Sequence, residues 1–174
     1  MIWLTADEHY NHKNIIGYCN RPFKTVEAMN AALIEQANAV VAPRDIVVHL
    51  GDFAWDDAET ILPQLHGIHW LVVGNHDVKR LRKWHYSLFD RVEQVMPVKW
   101  YGQKVWCSHY AHARWPASHM GRCHAFGHSH GQYRPNNRSE DVGVDAQNYA
   151  PISIEDFIER VSKKAVFDSG EQHA

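Results

Sequence analysis

The sequence predicts an α/β fold, and three observations support this class. Short apolar runs, such as residues 70–73, end at glycine or at polar residues, as buried strands do. Segments with a helical spacing of apolar residues lie between several of these runs. The chain has 174 residues, of which 45% are hydrophobic and 22% charged, which is typical of one globular domain. We therefore expect a single domain over residues 1–167 and a frayed tail at 168–174.

The first half of the chain is predicted to contain three strands and two helices. The strands are expected at residues 2–5, 45–50 and 70–73. The strongest helix signal covers residues 25–41, because apolar side chains recur near one face, Thr25 is a suitable N-cap and Pro43 follows. A shorter helix is expected at 56–65, where Pro63 limits its length.

The second half is predicted to begin with a basic helix and to continue mainly as strands. The helix is expected at residues 78–84. The strands are expected at residues 92–100, 104–108, 123–126 and 142–145. The first two should form a hairpin around Tyr101-Gly102. Ser153 and Asp156 have the spacing of a capping pair, which predicts a final helix through about residue 164.

Charge, cysteine and histidine contents narrow the function classes. A net charge of -2 and a pI near 6.7 argue against a protein that binds nucleic acid through bulk charge. No apolar run reaches membrane-spanning length, and residues 1–7 do not form a signal peptide. Cys19, Cys107 and Cys123 follow no motif and are interpreted as free thiols in a reducing cytoplasm. The 14 histidines are spread through the chain and suggest a metal site.

Potential metal ligands follow five of the predicted strands. They are Asp7 with His9, Asp52, Asn75, His109, and His128 with His130. In open α/β sheets the loops at the carboxyl ends of strands converge, so these side chains should meet in one cleft. Mixed oxygen and nitrogen ligands suit manganese, which we expect first, or iron, nickel, cobalt or zinc. So many ligands exceed one tetrahedral site, which suggests two metal ions that share a bridging carboxylate.

The same residues resemble the motifs of calcineurin-like metallophosphoesterases. The matching motifs are Asp7-x-His9, Gly51-Asp52, Gly74-Asn75-His76-Asp77, His109 and Gly127-His128-x-His130, in that order. The resemblance covers residues 2 to about 145. Stretches such as Asn14-Ile15-Ile16 and Arg21-Pro22-Phe23 make the chain similar to the small bacterial and phage members. The resemblance implies a four-layer α/β/β/α sandwich of two mixed sheets flanked by helices.

The resemblance also implies roles for individual residues. One metal would be bound by Asp7, His9, Asp52 and His130. The second would be bound by Asp52, Asn75, His109 and His128, with Asp52 as the bridge. His76 would face the substrate phosphate and either stabilise charge or protonate the leaving oxygen. Asp77 would orient His76. The nucleophile would be a hydroxide that bridges the two metals.

Other polar residues have weaker signals. His12, Asn14, Tyr110 and Arg114 are candidate substrate contacts, although loop polarity and aromatic packing explain them equally well. The basic residues of the predicted helix 78–84 fit a solvated helix face better than an anion site. His49 and His124 lie inside strands and are expected to be core or hydrogen-bonded residues.

The sequence therefore predicts a metal-dependent hydrolase of phosphate mono- or diesters, with a small molecule or nucleotide as substrate and no membrane partner. An alternative is a nuclease or a cyclic-nucleotide phosphodiesterase with the same centre, although the charge does not indicate a long nucleic-acid footprint. A non-enzymatic alternative is a silent metal-binding scaffold. That alternative predicts eroded ligands, whereas all seven ligands and His76 are present.

Overall fold

Two mixed β-sheets flanked by helices form the fold, which is α/β as the sequence predicts. The computed structural model describes residues 1–166. The predicted domain limit at residue 167 and the predicted tail at 168–174 lie outside the described residues. Among residues 1–166, no helix combines the length and the apolar character needed to cross a membrane. Cys19, Cys107 and Cys123 are free thiols, as expected.

Nine strands are found in the described part of the chain. They are β1 (Ile2–Thr5), β2 (Ile46–His49), β3 (Ile68–Val72), β4 (Arg91–Glu93), β5 (Val95–Trp100), β6 (Gln103–Ser108), β7 (Cys123–Phe126), β8 (Ser139–Asp141) and β9 (Ile152–Ser153). The first sheet has the order β4-β3-β2-β1-β9 and is parallel except for β9. The second sheet has the order β5-β6-β7-β8 and is parallel except for the β5–β6 hairpin.

Five α-helices and three 3-10 helices connect these strands in residues 1–166. The α-helices are α1 (Ile15–Tyr18), α2 (Val26–Val40), α3 (Ala58–Ile61), α4 (Asn75–Arg80) and α5 (Ile154–Ser162). The 3-10 helices are Leu62–Gln64, Lys83–Leu88 and Ser118–Met120. The predicted caps of the two longest helices are confirmed. Thr25 Oγ1 accepts a hydrogen bond from the Ala28 N–H at 3.2 Å, and Ser153 Oγ accepts one from the Asp156 N–H at 3.0 Å.

The two sheets share one buried apolar cluster, and the other face of the first sheet packs against α2. Because side chains alternate along a strand, Leu4 of β1 faces the shared cluster, together with Val105 of β6 and Phe157 of α5. Leu71 of β3 points the other way and belongs to a second cluster with Leu33 of α2. The carboxyl ends of the central strands therefore emerge between two packed layers.

Two strand predictions are wrong in their boundaries. The predicted strand 92–100 is two strands, because the chain leaves the first sheet after β4 and enters the second sheet at β5. Alternating apolar residues predict extended chain but not which sheet it joins. The strand predicted at 142–145 lies at Ser139–Asp141 instead. Strand β9 was not predicted, since two residues are too few to show a period.

The prediction of a basic helix at residues 78–84 is also wrong in its boundaries. The helix α4 begins at Asn75 and ends at Arg80, and a 3-10 helix follows it. Gly74 is its N-cap, and the Asp77 carboxylate accepts a hydrogen bond from the Gly74 N–H at 2.8 Å. Asn75, His76 and Asp77 therefore form the first turn of a helix rather than a turn between elements.

Candidate metal centre

The loops after β1, β2, β3, β6 and β7 carry the predicted ligands and are bonded to one another. The His9 N–H donates to Asp52 O at 3.0 Å, which joins the β1 and β2 loops. The His128 N–H donates to Asp7 Oδ2 at 2.7 Å, which joins the β7 loop to the β1 loop. His109 Nε2 of the β6 loop also lies 2.9 Å from Asn75 Oδ1 of α4, and the loops thus bring the predicted ligands into two neighbouring groups.

Several ligand residues have left-handed backbone conformations that are uncommon for residues other than glycine. Their φ angles are 57° for Asp7, 52° for His9, 58° for Asp52, 66° for His128 and 48° for His130. Each such conformation costs roughly 1–3 kcal/mol, and strained residues of this kind concentrate at functional sites. The folded chain tolerates this strain in five of the seven predicted ligands.

A first ligand group consists of Asp7, His9 and His130. One potential ligand atom of each lies within 4.8 Å of the others. Within residues 1–166, Asp7 Oδ1 and His9 Nε2 are buried and have no hydrogen-bond partner. Because buried polar atoms are almost always paired, two unpaired atoms in residues of one such group fit a bound cation.

A second ligand group consists of Asp52, His109 and His128, which satisfy the same 4.8 Å criterion. The Nδ1 of His109 lies 2.8 Å from Leu50 O. A neutral His109 ring therefore carries its one N–H on Nδ1 and donates it to that carbonyl. His109 Nε2 and Asn75 Oδ1 are then two acceptors only 2.9 Å apart. Two acceptors at this distance repel each other unless a cation lies near both, so this pair also fits a bound metal ion.

Asp52 belongs to the second group and also approaches the first. Its Oδ1 accepts a hydrogen bond from the His76 N–H at 2.8 Å. Its Oδ2 lies 3.7 Å from His9 Nε2 of the first group and 3.5 Å from His109 Nε2 of the second. One carboxylate oxygen is thus within reach of both groups, which is the position expected of a bridging ligand.

Asp77 has a different role from the one predicted. Its carboxylate is buried and accepts hydrogen bonds from the backbone N–H groups of Gly74 and Asp52, both at 2.8 Å, and of Phe53 at 3.0 Å. Both carboxylate oxygens are occupied by these bonds. Asp77 therefore holds the loop that carries Asp52, and the prediction that it orients the His76 ring is wrong.

Burial sets the charge states of the metal-free ligand groups. It lowers the pKa of His9, His109 and His128 below the usual value, which favours the neutral, ligating imidazole. It also raises the pKa of the Asp7 carboxyl, because a buried carboxylate lacks solvation. His130 differs: burial acts to lower its pKa, but the hydrogen bond with Asp145 and other acidic neighbours raise it to about 10. In the absence of a metal ion, the buried Asp7 carboxyl and the His130 imidazole both tend to hold a proton. Both residues therefore favour positive charge in this site.

His76 borders the cleft with two of the predicted substrate contacts. Its side chain is 33% exposed, and its ring centroid lies 5.3 Å from that of His9. His12 stacks on Trp55 at 3.8 Å between ring centroids, and burial lowers the pKa of His12 to about 4. Tyr110 contacts His128 edge-on at 4.5 Å. Among the other two predicted contacts, Asn14 is exposed before α1, and Arg114 is exposed in the β6–β7 loop.

Arg21, Trp55 and Asp145 border the centre but were given no site role from the sequence. Trp55 carries the stacked His12 on its ring, and Arg80 lies 3.5 Å from the same ring centroid. Asp145 Oδ2 lies 2.7 Å from His130 Nδ1. The one signal that could have identified Asp145 was its place at the end of a predicted strand, where the other acidic ligands also occur.

Comparison with known proteins finds an uncharacterized relative and a similar fold. No protein-family model matches the sequence. The chain is 32% identical to the uncharacterized protein MJ1445 of Methanocaldococcus jannaschii, over 95% of this chain and 93% of that protein. The structure is similar to the crystal structure of the protein of unknown function AQ665 from Aquifex aeolicus, with a TM-score of 0.71 and 24% identity. The match covers 92% of this chain and 98% of that one, and it concerns the fold alone.

Proposed function

This chain belongs to the same protein family as the uncharacterized protein MJ1445, and we propose that it is a two-metal hydrolase of phosphate esters. The observation that carries the proposal is the position of Asp52 Oδ2, which lies 3.7 Å from His9 Nε2 of the first group and 3.5 Å from His109 Nε2 of its own, second group. A carboxylate that reaches both groups could bridge two metal ions. A metal pair of this kind stabilises the attacking and leaving oxygens of an in-line displacement at phosphorus.

The donor set supports two divalent ions rather than one. The first ion would be held by Asp7, His9, His130 and Asp52, and the second by Asp52, Asn75, His109 and His128. The set mixes carboxylate, amide and imidazole donors, which suits manganese first, and iron, nickel, cobalt or zinc as alternatives. When bound, the ions would supply Lewis acidity and a hydroxide nucleophile from water.

We propose that His76 is the residue of this chain that acts on the substrate itself. Its ring is partly exposed at the cleft, while its backbone N–H bonds Asp52 Oδ1 at 2.8 Å. The His76 Nε2 lies 4.0 Å from Asp52 Oδ2, and His76 is not one of the seven proposed ligands. From there it would donate a proton or a hydrogen bond to the leaving oxygen of the ester. His12 and Tyr110 would contact the rest of the substrate, as we propose for Asn14 and Arg114 further out.

We also propose that the two sheets form the α/β/β/α sandwich of metallophosphoesterases. Helix α2 covers the outer face of the first sheet, and the shared apolar cluster lies between the sheets. On the far face of the second sheet, Trp115 of the β6–β7 loop packs against His124, with ring centroids 4.9 Å apart. The outer layer on that side would consist of this loop and its short 3-10 helix, Ser118–Met120.

The test compares hydrolysis of p-nitrophenyl phosphate with that of bis-p-nitrophenyl phosphate. Metal-stripped protein is refilled separately with manganese, nickel, zinc or magnesium. We expect metal-restored turnover, and a loss of at least about 100-fold in Asp52→Asn, because even partners outside the ligand set affect activity by roughly 10- to 100-fold. Asp90→Asn makes the same chemical change at an exposed position and should hydrolyse like the wild type.

The ratio of the monoesterase to the diesterase activity shows which class of ester the protein prefers. Cyclic nucleotides and nucleic-acid ends are the next substrates to test. Near-normal turnover of Asp52→Asn would remove the bridging role. Stoichiometric metal binding without turnover on any of these esters would favour the scaffold alternative over the hydrolase.

A further inference from the structure

Asp145 is bonded to the Nδ1 side of the His130 ring. Its Oδ2 is 2.7 Å from His130 Nδ1, and its side chain is 7% exposed. A carboxylate that accepts the Nδ1–H of an imidazole leaves Nε2 as the ligating atom and fixes the plane of the ring. The His130 ring is stacked on that of His9 at 5.4 Å, so its orientation also fixes the spacing of two ligands.

Arg21 holds Asp145 and is itself completely buried. Its Nε and Nη2 bond the two Asp145 oxygens, at 2.9 and 2.8 Å. Its Nη2 also donates to Asp7 O at 2.7 Å, and its Nη1 donates to Glu8 O at 2.9 Å and contacts Met29 Sδ at 3.4 Å. These contacts use all five N–H donors of the guanidinium, in a fork that lysine cannot reproduce.

The Arg21 guanidinium therefore connects the two loops that supply the first ligand group. It bonds the backbone of the β1 loop at Asp7, and through Asp145 it fixes His130 of the β7 loop. The second group is supported differently. Leu50 O bonds His109, and Asp77 bonds the backbone at Asp52, and none of these described bonds involves Arg21 or Asp145.

We infer that Asp145 and Arg21 are positioning residues for the first metal position alone, the one formed by Asp7, His9 and His130. The inference rests on the metal centre of the proposed function and on no step of its chemistry. It assigns the two metal positions separate supports, so that one position can be weakened while the other stays intact.

A rival arrangement makes Asp145 a metal ligand. Potential ligand atoms of Cys19, His130 and Asp145 also lie within 4.8 Å of one another. Both Asp145 oxygens already accept bonds from Arg21, however, and Oδ2 also bonds His130. A metal ion there would have to displace a charge-assisted pair in a buried position, which is costly. The structure therefore favours positioning over ligation, and the experiment separates the two.

The experiment measures metal binding rather than turnover. Metal-stripped wild type, Asp145→Asn, Arg21→Lys and the control Asp90→Asn are titrated with Mn²⁺ by calorimetry and with Co²⁺ by absorption spectroscopy. Wild type should bind two equivalents. Asp145→Asn and Arg21→Lys should keep one equivalent at wild-type affinity and bind the other about 10- to 100-fold more weakly, the usual effect of losing a partner behind a metal ligand. Circular dichroism of the stripped proteins checks that each variant is folded.

Several results would overturn the inference. Unchanged affinity for both equivalents in folded Asp145→Asn would show that His130 needs no such support. Equal weakening of both equivalents would indicate a general structural role. An intense cobalt–thiolate charge-transfer band that Cys19→Ser abolishes would place the metal ion in the group of Cys19, His130 and Asp145. Asp145 would then be a ligand rather than a positioning residue. Wild type that binds no metal would overturn the inference and the proposed function together, whereas selective weakening without hydrolysis would support the inference and count against the phosphoesterase.

Discussion

At the scale of single residues, His76 is the site residue whose role is best separated from metal binding. Its ring is partly exposed, its backbone N–H donates to Asp52 Oδ1 at 2.8 Å, and its Nε2 lies 4.0 Å from Asp52 Oδ2. We predict that His76→Asn keeps both metal equivalents but lowers kcat by roughly 10²- to 10⁴-fold, because a positioned acid or hydrogen-bond donor contributes on that scale. The measurement is kcat for esters with good and poor leaving groups, together with metal stoichiometry.

The leaving-group series decides how His76 acts. A larger loss for poor leaving groups identifies a general acid, and an equal loss identifies charge stabilisation. His66→Asn is the control, since His66 bonds Val41 O on the outer side of the first sheet. Wild-type kcat in His76→Asn would remove the residue from the reaction altogether.

The seven candidate ligands could be predicted because residue type and position at a strand end are both visible in the sequence. The role of Asp77 could not be predicted in the same way. His76 and Asp77 are adjacent in sequence, but consecutive residues of a helix point in different directions. Once residues 75–80 form a helix, the Asp77 carboxylate accepts hydrogen bonds from the backbone N–H groups of Asp52, Phe53 and Gly74. Contacts of this kind depend on the local conformation, which motif spacing does not determine.

At the scale of elements, the β3–α4 connection is the tightest part of the site. A Cβ atom on Gly74 would lie 2.5 Å from Asp52 N and 3.0 Å from Gly51 C, and would also collide with the Asp52 carboxylate. We predict that Gly74→Ala lowers the free energy of unfolding by about 1–3 kcal/mol, the usual cost of overpacking, and weakens metal binding because Asp52 must move. Urea unfolding of the metal-free protein and an Mn²⁺ titration measure the two effects.

Gly17→Ala is the matched control for this change. Gly17 lies in α1, and a Cβ atom there would meet nothing within 4 Å. That substitution should stabilise the protein slightly, by up to about 1 kcal/mol, because alanine is the better helix residue. If Gly74→Ala behaved like Gly17→Ala, the close approach of the two loops would not constrain the centre.

The success of the element predictions depended on length. Helix α2 can be predicted because its fifteen residues have an apolar face, an N-cap at Thr25 and a proline, Pro43, shortly after the end. The strands β4, β8 and β9 have two or three residues each, too few for a period. Their places depend on which neighbour offers free backbone hydrogen bonds, as when β4 joins β3 and β5 joins β6. Such pairing is decided by tertiary structure.

At the scale of the whole molecule, buried neutral histidines predict an acid-sensitive fold. His124 on the second sheet accepts a hydrogen bond from the His112 N–H at Nε2 and bonds Trp106 O through Nδ1. Burial lowers the pKa of His124 to about 4, whereas an unfolded histidine has a pKa of about 6.5. Between these values the unfolded chain binds a proton that the folded chain does not, so stability falls as the pH falls from about 6.5 to 4.

We predict that the free energy of unfolding falls between pH 7 and pH 4.5 by about 1–3 kcal/mol less in His124→Asn than in the wild type. The reason is that the variant lacks the histidine whose protonation favours the unfolded chain. The measurement is the free energy of urea unfolding at the two pH values, with His66→Asn as the control. His69, whose pKa burial lowers to about 3, keeps part of the acid sensitivity in every variant. The same pH dependence in His124→Asn and wild type would contradict the prediction.

Strand β1 lies in the interior of the first sheet, between β2 and the last strand, β9. Synthesis proceeds from the N-terminus, so β1 and the loop with Asp7 and His9 leave the ribosome long before β9 is made. Pairing the first strand with the last requires closing a very long loop, which slows folding. A nascent chain that stops before Asp145 also lacks the carboxylate behind His130. All seven candidate ligands are therefore made before the strand that completes the first sheet and before the carboxylate that bonds His130.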